Sequence, residues 1–178
     1  MLVPISWLKK YVPITIPSRE LAHRLTMAGT EVGNIVECGE TWAKDKIIVG
    51  HVLSVDPHPD ADRLKLPSID LGNGEIAKVV CGGPNLAPGQ KIAFAREGAS
   101  LFNTRSGRIE VLKAAKIRGI VSAGMVCSER ELGIGEDHNG ILVLDDNAPL
   151  GTPLVDYIGD SILELELTPN RPDCLSML

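Results

Sequence analysis

A run of basic side chains between positions 105 and 118 is the part of this sequence best suited to bind a charged partner. It contains one acid, Glu110, and five cations: Arg105, Arg108, Lys113, Lys116 and Arg118. Lys and Arg side chains that neutralise phosphates supply most of the sequence-independent affinity of nucleic-acid-binding proteins. The run therefore indicates either a phosphate-contacting surface or a solvated strand face.

The segment from His58 to Leu64, HPDADRL, is a second candidate because it places one imidazole close to two carboxylates. Such a set could hold a metal ion or act in acid–base catalysis. No second group of ligands follows it, and Pro and Asp are typical of turns in which Asp side chains accept hydrogen bonds from backbone amides. We interpret the segment as a turn between two strands.

Other chemical motifs are weak. The glycines of Cys81–Asn85, CGGPN, lack the spacing of a phosphate-binding P-loop, and we expect them to let a strand exit closely against its neighbours. No G-x-S-x-G nucleophile motif occurs, and the pair Asp137–His138 stands alone. The sequence therefore predicts no catalytic centre, no cofactor site and no metal site in this chain.

Charge is unevenly distributed along the 178 residues. The chain carries a net charge of −5, but residues 51–128 carry +3 and residues 129–178 carry −9. A basic middle segment can meet a polyanion even when the whole chain is acidic. Because the chain has only six aromatic residues, we expect any RNA to be held by charge and shape rather than by base stacking.

Cysteine spacing and hydropathy indicate the compartment. Four cysteines lie too far apart for a zinc knuckle or a dense disulfide framework, so we predict free thiols in a reducing cytosol. No apolar run approaches the ~20 residues that span a bilayer. The N-terminus also lacks the features of a signal peptide. These observations predict a cytoplasmic protein without a membrane partner.

The first 38 residues are predicted to be helical. Ser6 is expected to cap a short turn, and Pro17–Ser18 to open a longer helix that ends at Gly29. Near the other end, Leu163–Leu167 alternates like a half-exposed strand. Cys174–Leu178 resembles the first turn of a helix, so we expect the chain to be part of a longer protein.

Short strands and turns are predicted from about residue 47. An Asn73–Gly74 hairpin and a one-turn helix that starts at Ser128 and ends at Gly133 are expected among them. The predicted strands are Ile47–Val55, Leu64–Leu66, Ile69–Leu71, Ile76–Val80, Lys91–Ala95, Ile109–Lys113, Ala115–Arg118 and Ile141–Leu144. This pattern favours a closed β-barrel of the oligonucleotide-binding (OB) type, with a β-sandwich as the rival.

Specific segments resemble a known family. The middle of the chain resembles the tRNA-binding OB module of several aminoacyl-tRNA synthetases in HPDADRL (His58–Leu64), VVCGGPN (Val79–Asn85), AKIRGIVSAGMVCSERELGI (Ala115–Ile134) and DHNGILVL (Asp137–Leu144). The flanks are similar to the N-terminal portion of bacterial phenylalanyl-tRNA synthetase β subunits in ISWLKKYV (Ile5–Val12), LTMAGTEV (Leu25–Val32) and LELELTPNRPDCLSM (Leu163–Met177). The order of these segments makes the resemblance specific.

The resemblance implies a mainly β (α+β) fold. An OB-fold barrel, residues 39–151, would be inserted into a small helical domain made of residues 1–38 and 152–178. The resemblance also implies an α2β2 ligase that attaches phenylalanine to tRNA-Phe with ATP and magnesium. Phenylalanine activation would belong to the α subunit, and this fragment would hold no ATP site, no aminoacylation residue and no magnesium ligand.

Carried over by position, the resemblance predicts the residues that meet tRNA. Five cations would face it: Arg63, Lys65, Lys113, Lys116 and Arg118. Ser122 and Met125 would form the edge of a small pocket, and Arg105 and Arg108 are proposed from charge alone. Two other hypotheses stay open: a free-standing tRNA-binding OB protein, and an assembly module that meets the other subunit without binding RNA.

Overall fold

The computed structural model describes residues 1–104 and 106–169, and it divides the chain into two compact units. One unit combines Met1–Cys38 with the described residues from Gly159 onward, and the other is Gly39–Ile158. The larger unit is thus continuous in sequence between two segments of the smaller one. No helix in the described ranges is long and apolar enough to cross a membrane.

The described residues are mainly β. The helices are α1 (Ile5–Leu8), α2 (Ser18–Met27), α3 (Glu129–Leu132) and α4 (Leu154–Ile158). The strands are β1 (Leu2–Pro4), β2 (Glu31–Cys38), β3 (Ile47–His58), β4 (Ala61–Asp70), β5 (Ile76–Lys78), β6 (Lys91–Arg96), β7 (Ser100–Asn103), β8 (Arg108–Val111), β9 (Ala115–Ile117), β10 (Ile120–Ser122), β11 (Gly124–Val126), β12 (Val143–Leu144) and β13 (Asp160–Glu166).

The smaller unit is an antiparallel sheet in the order β1-β13-β2, with a core of Val3, Ile5, Ala22 and Leu163. The prediction that its first 38 residues are helical is wrong for β1 and β2, because both pair with the distant strand β13. The predicted strand near Leu163 and the end of α2 at Gly29 (φ 94°) are confirmed.

Ser6 does not cap the first helix as predicted. Pro4 occupies the N-cap position of α1, and Ser6 lies inside the helix. The Ser6 backbone N–H and hydroxyl both donate to the Asp160 carboxylate, at 3.1 and 2.6 Å. The serine therefore links α1 to the first residue of β13 within the smaller unit.

The larger unit is built on a sheet in the order β11-β6-β3-β4-β5, with β12 also paired to β6. Two further hairpins, β7–β8 and β9–β10, form separate two-stranded sheets. By strand pairing among the described residues, the main sheet is open. Apolar residues alternate along β3, so that Ile47 and Val49 join one core cluster while Ile48 and Val52 join another.

Local turn and cap signals in the larger unit are confirmed. The hairpin between β4 and β5 turns at Gly72–Gly74, where Asn73 has a φ of 54°. Helix α3 has the predicted capping box between Ser128 and Glu131, and Gly133 ends it in the left-handed conformation. Leu154 is fully buried, and residues 152–158 belong to the larger unit, whereas the resemblance implies a small domain that includes residues 152–178.

One predicted strand is shortened by a side chain. The Asn85 amide accepts from the Ile141 backbone N–H at 2.8 Å and donates to the Ile141 carbonyl at 2.9 Å. The side chain thereby takes the place of a neighbouring strand, so that β12 starts only at Val143. Gly140 is required beside this contact, because a Cβ there would lie 2.6 Å from the Asn85 Oδ1.

Candidate nucleic-acid interface

The β9–β10 hairpin presents part of the predicted basic surface at a tight turn. Ile117 pairs with Ile120, so that Arg118 and Gly119 alone form the loop, with φ values of 43° and 92°. Positive φ at both loop residues is the pattern of a type I′ turn, in which Asn-Gly is favoured. An arginine is costly in this conformation, so that Arg118 is a strained backbone position at the hairpin tip.

The hairpin cations are free to meet a ligand. Lys116 and Arg118 are both exposed, and Lys116 lies opposite Val121 in the ladder. Neither takes part in the ion pairs found within residues 1–104 and 106–169. Neither cation is therefore held in an ion pair with a carboxylate of these residues.

A second turn, Pro59–Asp60, joins β3 to β4, and the first residues of β4 follow it. The Asp60 backbone N–H donates to Nδ1 of the buried His58 at 3.1 Å, and the β3–β4 register shifts between Pro57 and His58. The interpretation of this segment as a strand-to-strand turn is confirmed. The capping group, however, is the His58 imidazole rather than an aspartate side chain.

The two turns meet at one groove. Its volume is about 530 Å³, and its walls are formed by Pro59, Asp60, Ala61, Asp62, Arg63, Leu64 and Arg118. Arg63 and Arg118 are thus brought together, and Arg63 makes no ion pair within the described residues. Asp60 and Asp62 add negative charge to the same groove, which limits the number of phosphates that it can favour.

Ser122 lies beneath the surface rather than on it. Its side chain is 5% exposed, and its hydroxyl accepts from the Val80 N–H at 3.2 Å and donates to the Gly124 carbonyl at 2.9 Å. Both hydrogen-bonding functions of the hydroxyl are therefore used inside the protein. The position suits Ser122 to orient the β9–β10 hairpin, not to touch a ligand directly.

Lys65 is also engaged by the protein. Its Nζ donates to the carbonyl oxygens of Pro84 and Leu86, at 3.1 and 3.0 Å, and its side chain is half-buried. The ammonium group thus holds the end of the CGGPN segment and the residue that follows it. Of the five cations that the resemblance predicts to face tRNA, Lys65 is the one tied to backbone carbonyls.

Lys113 and Met125 line a different cavity, of about 560 Å³, together with residues of β7, β8 and α3. Lys113 is exposed and Met125 is half-buried. Of the two arginines proposed from charge alone, Arg108 is exposed at the start of β8, and Arg105 lies outside the described residues. Arg63 and Arg118 therefore line the groove and Lys113 lines the second cavity, whereas Lys65, Arg108 and Lys116 line neither.

The acid within the basic run is held by the β7–β8 hairpin. The Ser106 hydroxyl donates to Glu110 at 2.6 Å and the Asn103 amide donates to it at 2.8 Å. These two hydrogen bonds lower the pKa of the Glu110 carboxyl below its usual value. Glu110 is therefore a fixed negative charge that stabilises the hairpin.

The larger unit contains two buried cysteines. Cys81 and Cys127 are free and buried, and burial raises the pKa of both thiols. In the part of the chain that the structure describes, no three His, Cys, Asp or Glu side chains come together to hold a metal ion.

Sequence reasoning missed the groove itself. Arg63, Arg118, Asp60 and Asp62 line one groove. They do so because two segments that are distant in the chain, the β3–β4 turn and the β9–β10 turn, come together. Glycine is a strong local signal for a turn, and Gly119 stands between two strand-like runs. The predicted strand Ala115–Arg118 includes Arg118, whereas β9 ends at Ile117.

Comparison with known proteins places these features in a family. The family model described as "Putative tRNA binding domain" matches residues 47–153. The chain is 47% identical over 175 residues to the phenylalanine–tRNA ligase beta subunit of Dehalococcoides mccartyi, covering 98% of this chain and 21% of the relative. It is 44% identical over 188 residues to that of Salinibacter ruber, covering 99% of this chain and 22% of the relative.

Among solved structures, a MetRS-related protein from Pyrococcus horikoshii is similar over 60% of this chain and 86% of that chain, with 22% identity and a TM-score of 0.43. The chain spans about a fifth of the length of the curated relatives that it matches. With the family model covering more than half of the sequence, the chain belongs to the tRNA-binding domain family, and it is homologous to the N-terminal region of phenylalanine–tRNA ligase beta subunits.

Proposed function

We propose that this chain is the tRNA-binding N-terminal part of the β subunit of a phenylalanine–tRNA ligase, acting with an α subunit in a cytoplasmic α2β2 enzyme. The complete enzyme would attach phenylalanine to tRNA-Phe with ATP and magnesium. This chain would contribute docking of the tRNA backbone and no bond-making step. The names of the curated relatives and the tRNA-binding family model support this assignment.

One observation carries the docking role: the exposed, unneutralised cations at the groove between two turns. Arg63 and Arg118 line the groove, and Lys116 stands two residues from the hairpin tip. A guanidinium can donate two parallel hydrogen bonds to a phosphate. Lys113, Arg108 and Arg105 would extend the contact along the basic run, with Met125 at the wall of the second cavity.

The surrounding fold supports a presenting role for the larger unit. The Ser122 hydroxyl accepts a hydrogen bond from Val80, which follows the edge strand β5. Ser122 itself lies just before the other edge strand, β11, so that this hydrogen bond joins extensions of both edge strands. We propose that this contact marks the point where an OB-type barrel closes in residues 39–151. In that arrangement Ser122 orients the hairpin and Lys65 holds the Pro84–Leu86 loop.

Charge reversal at the hairpin tests the proposal. Lys116→Glu with Arg118→Glu is expected to weaken the binding of tRNA-Phe at low salt, because phosphates then meet carboxylates. The circular dichroism spectrum should stay that of the unaltered chain, since neither side chain is buried. An unrelated tRNA tested in parallel shows whether the contact discriminates between tRNAs.

Two outcomes would contradict the proposal. Unchanged affinity in a folded double variant would remove these residues from the site. If the unaltered chain showed no binding even at low salt, the assembly hypothesis would replace docking, and binding of the remaining subunits would then be measured directly.

A further inference from the structure

Two exposed aromatic rings follow the first strand of the smaller unit. Trp7 is 54% exposed and Tyr11 is 71% exposed, whereas Trp42 and Phe94 are buried and Phe102 and Tyr157 are half-buried. The two rings thus stand in solvent within a short segment that the docking groove does not use. Trp and Tyr are the side chains most often used to anchor a partner, because they combine a large apolar face with a polar group.

The backbone places the two rings on one side. Helix α1 continues as a helical turn, because the Lys10 N–H donates to the Trp7 carbonyl and the Val12 N–H donates to the Leu8 carbonyl, both at 3.0 Å. Residues three and four apart share a face of such a turn. Trp7, Lys10 and Tyr11 therefore form one outward surface, the N-terminal aromatic face, while Leu8 packs against the core.

Charge decides which kind of partner suits this face. Residues 1–19 contain Lys9, Lys10 and Arg19 and no acidic residue. Neither lysine takes part in the ion pairs found among the described residues. Flat rings beside free ammonium groups are complementary to an unpaired nucleotide, whose base stacks on a ring while its phosphate meets the cation.

We propose that the N-terminal aromatic face binds an unpaired nucleotide of RNA, with the base stacked on Trp7 or Tyr11 and the phosphate held by Lys10. This inference rests on the proposed function, because docked tRNA would bring the unpaired strand. It adds base stacking to an interaction that the small number of aromatic residues had suggested to be purely electrostatic. A symmetric contact between two copies would oppose the same lysines, which disfavours self-association.

Tryptophan emission reports on this face directly. Trp42 is 4% exposed and its Nε1 donates to the Leu132 carbonyl at 3.1 Å, so that Trp7 is the accessible indole of the chain's two. The chain would be titrated with an unstructured single-stranded oligoribonucleotide and with the duplex of the same sequence. The single strand is expected to quench the emission of Trp7, and the duplex should leave it nearly unchanged.

Variants identify the ring and the charge. Tyr11→Ala is expected to lower the affinity for the single strand by about fivefold to a hundredfold, the usual effect of removing a stacking partner. Lys10→Gln should reduce the salt dependence of quenching. Met27→Ala is the matched control, because Met27 is 75% exposed in the same unit and should not alter binding. Trp7→Phe should abolish the signal and confirm its source.

The outcomes separate this inference from the docking function. The single strand should quench the emission of Trp7. If Tyr11→Ala weakens this quenching and Met27→Ala does not, the N-terminal aromatic face is supported as a nucleotide site. If tRNA binds, as measured by anisotropy, and single-stranded RNA leaves the emission of Trp7 unchanged, the face is not a nucleotide site and docking stands. Equal quenching of Trp7 by the duplex and by the single strand also overturns the inference. So does a change in the emission of Trp7 that depends on protein concentration and not on RNA. If single-stranded RNA still quenches Trp7 but Lys116→Glu with Arg118→Glu does not change the affinity for tRNA, only the docking proposal is overturned.

Discussion

The Ser122 hydroxyl accepts a hydrogen bond from the Val80 backbone N–H at 3.2 Å, in a buried position between extensions of the two edge strands of the main sheet. The same hydroxyl donates to Gly124 at the start of β11. One side chain thus connects the β5 edge, the β11 edge and the hairpin that carries Arg118. Ser122 therefore holds the β9–β10 hairpin to both edges of the sheet although its own side chain is buried.

Replacing Ser122 by alanine should destabilise the fold. The variant leaves the buried Val80 N–H without its acceptor, which costs about 1–3 kcal/mol. Chemical denaturation would measure the free energy of unfolding. Ser122→Thr retains the hydroxyl and serves as the control. A loss below about 0.3 kcal/mol in the alanine variant would show that this hydrogen bond does not hold the two edges.

Arg118 allows stability and binding to be separated. Asn is more compatible with the positive φ of the hairpin tip, so Arg118→Asn should leave stability unchanged or raise it by up to about 1 kcal/mol while it weakens tRNA binding. Arg118→Lys keeps both the charge and the unfavourable conformation and should retain most of the affinity. Thermal melting and tRNA titration would be run on the same samples. An asparagine variant that binds tRNA as the unaltered chain does would contradict the role given to the guanidinium.

Removing an acid from the groove should strengthen binding. Asp62 lines the same groove as Arg63 and Arg118, where its carboxylate repels a docked phosphate. Exposed charge pairs contribute roughly 0.2–1 kcal/mol, so Asp62→Asn should raise tRNA affinity by about 1.5- to 5-fold at low salt. Asp45→Asn, an exposed acid that pairs with Lys46, is the matched charge control. Equal effects of the two variants would mean that only net charge matters.

Local signals predicted several elements because a few neighbouring residues determine them. The turn at Asn73 and the capping box of Ser128 with Glu131 are both of this kind. Strand β11 was not predicted. Its first residue, Gly124, lies so close to the Phe94 ring on β6 that no larger side chain would fit there, and β11 pairs with β6 at this point. Such a contact is decided by packing across the sheet rather than by local propensity.

The candidate site also has some features that the sequence could predict and others that depend on the fold. The basic run indicated Lys116 and Arg118 as cations for phosphate, and the family resemblance added Arg63. The structure leaves all three outside the described ion pairs. Residue type could not show that Lys65 bonds to two loop carbonyls or that Ser122 is buried. Both facts depend on where the chain returns in space. The placement of Lys113 and Arg118 at two different cavities has the same origin.

The buried thiol of Cys127 should make the fold sensitive to alkaline pH. Burial raises the pKa of this thiol, and the nearby Glu131 carboxylate adds to the effect. The folded state therefore keeps the proton more tightly than the unfolded chain does. Stability is then fully present below the ordinary thiol pKa of about 8.5 and is lost as the pH rises above it.

Denaturation midpoints at pH 7.5 and pH 10 would measure this loss. Cys127→Ala should show a smaller decrease between the two pH values, because the titrating group is gone, although its stability at pH 7.5 is also lower. Mass spectrometry after alkylation of the native protein should find Cys127 unmodified. Equal pH dependence in the variant and the unaltered chain would assign the effect to other groups.

The central claim is that Lys116 and Arg118 contact tRNA phosphates, and the salt dependence of tRNA affinity tests it most directly. Lys116→Gln with Arg118→Gln should reduce the slope of log affinity against log salt by about 1.4–1.8, since each phosphate contact contributes about 0.7–0.9. Lys44→Gln with Lys46→Gln removes the same charge from residues paired to Asp156 and Asp45, and should leave the slope nearly unchanged. Identical slopes for the unaltered chain and the Lys116/Arg118 variant would contradict the account.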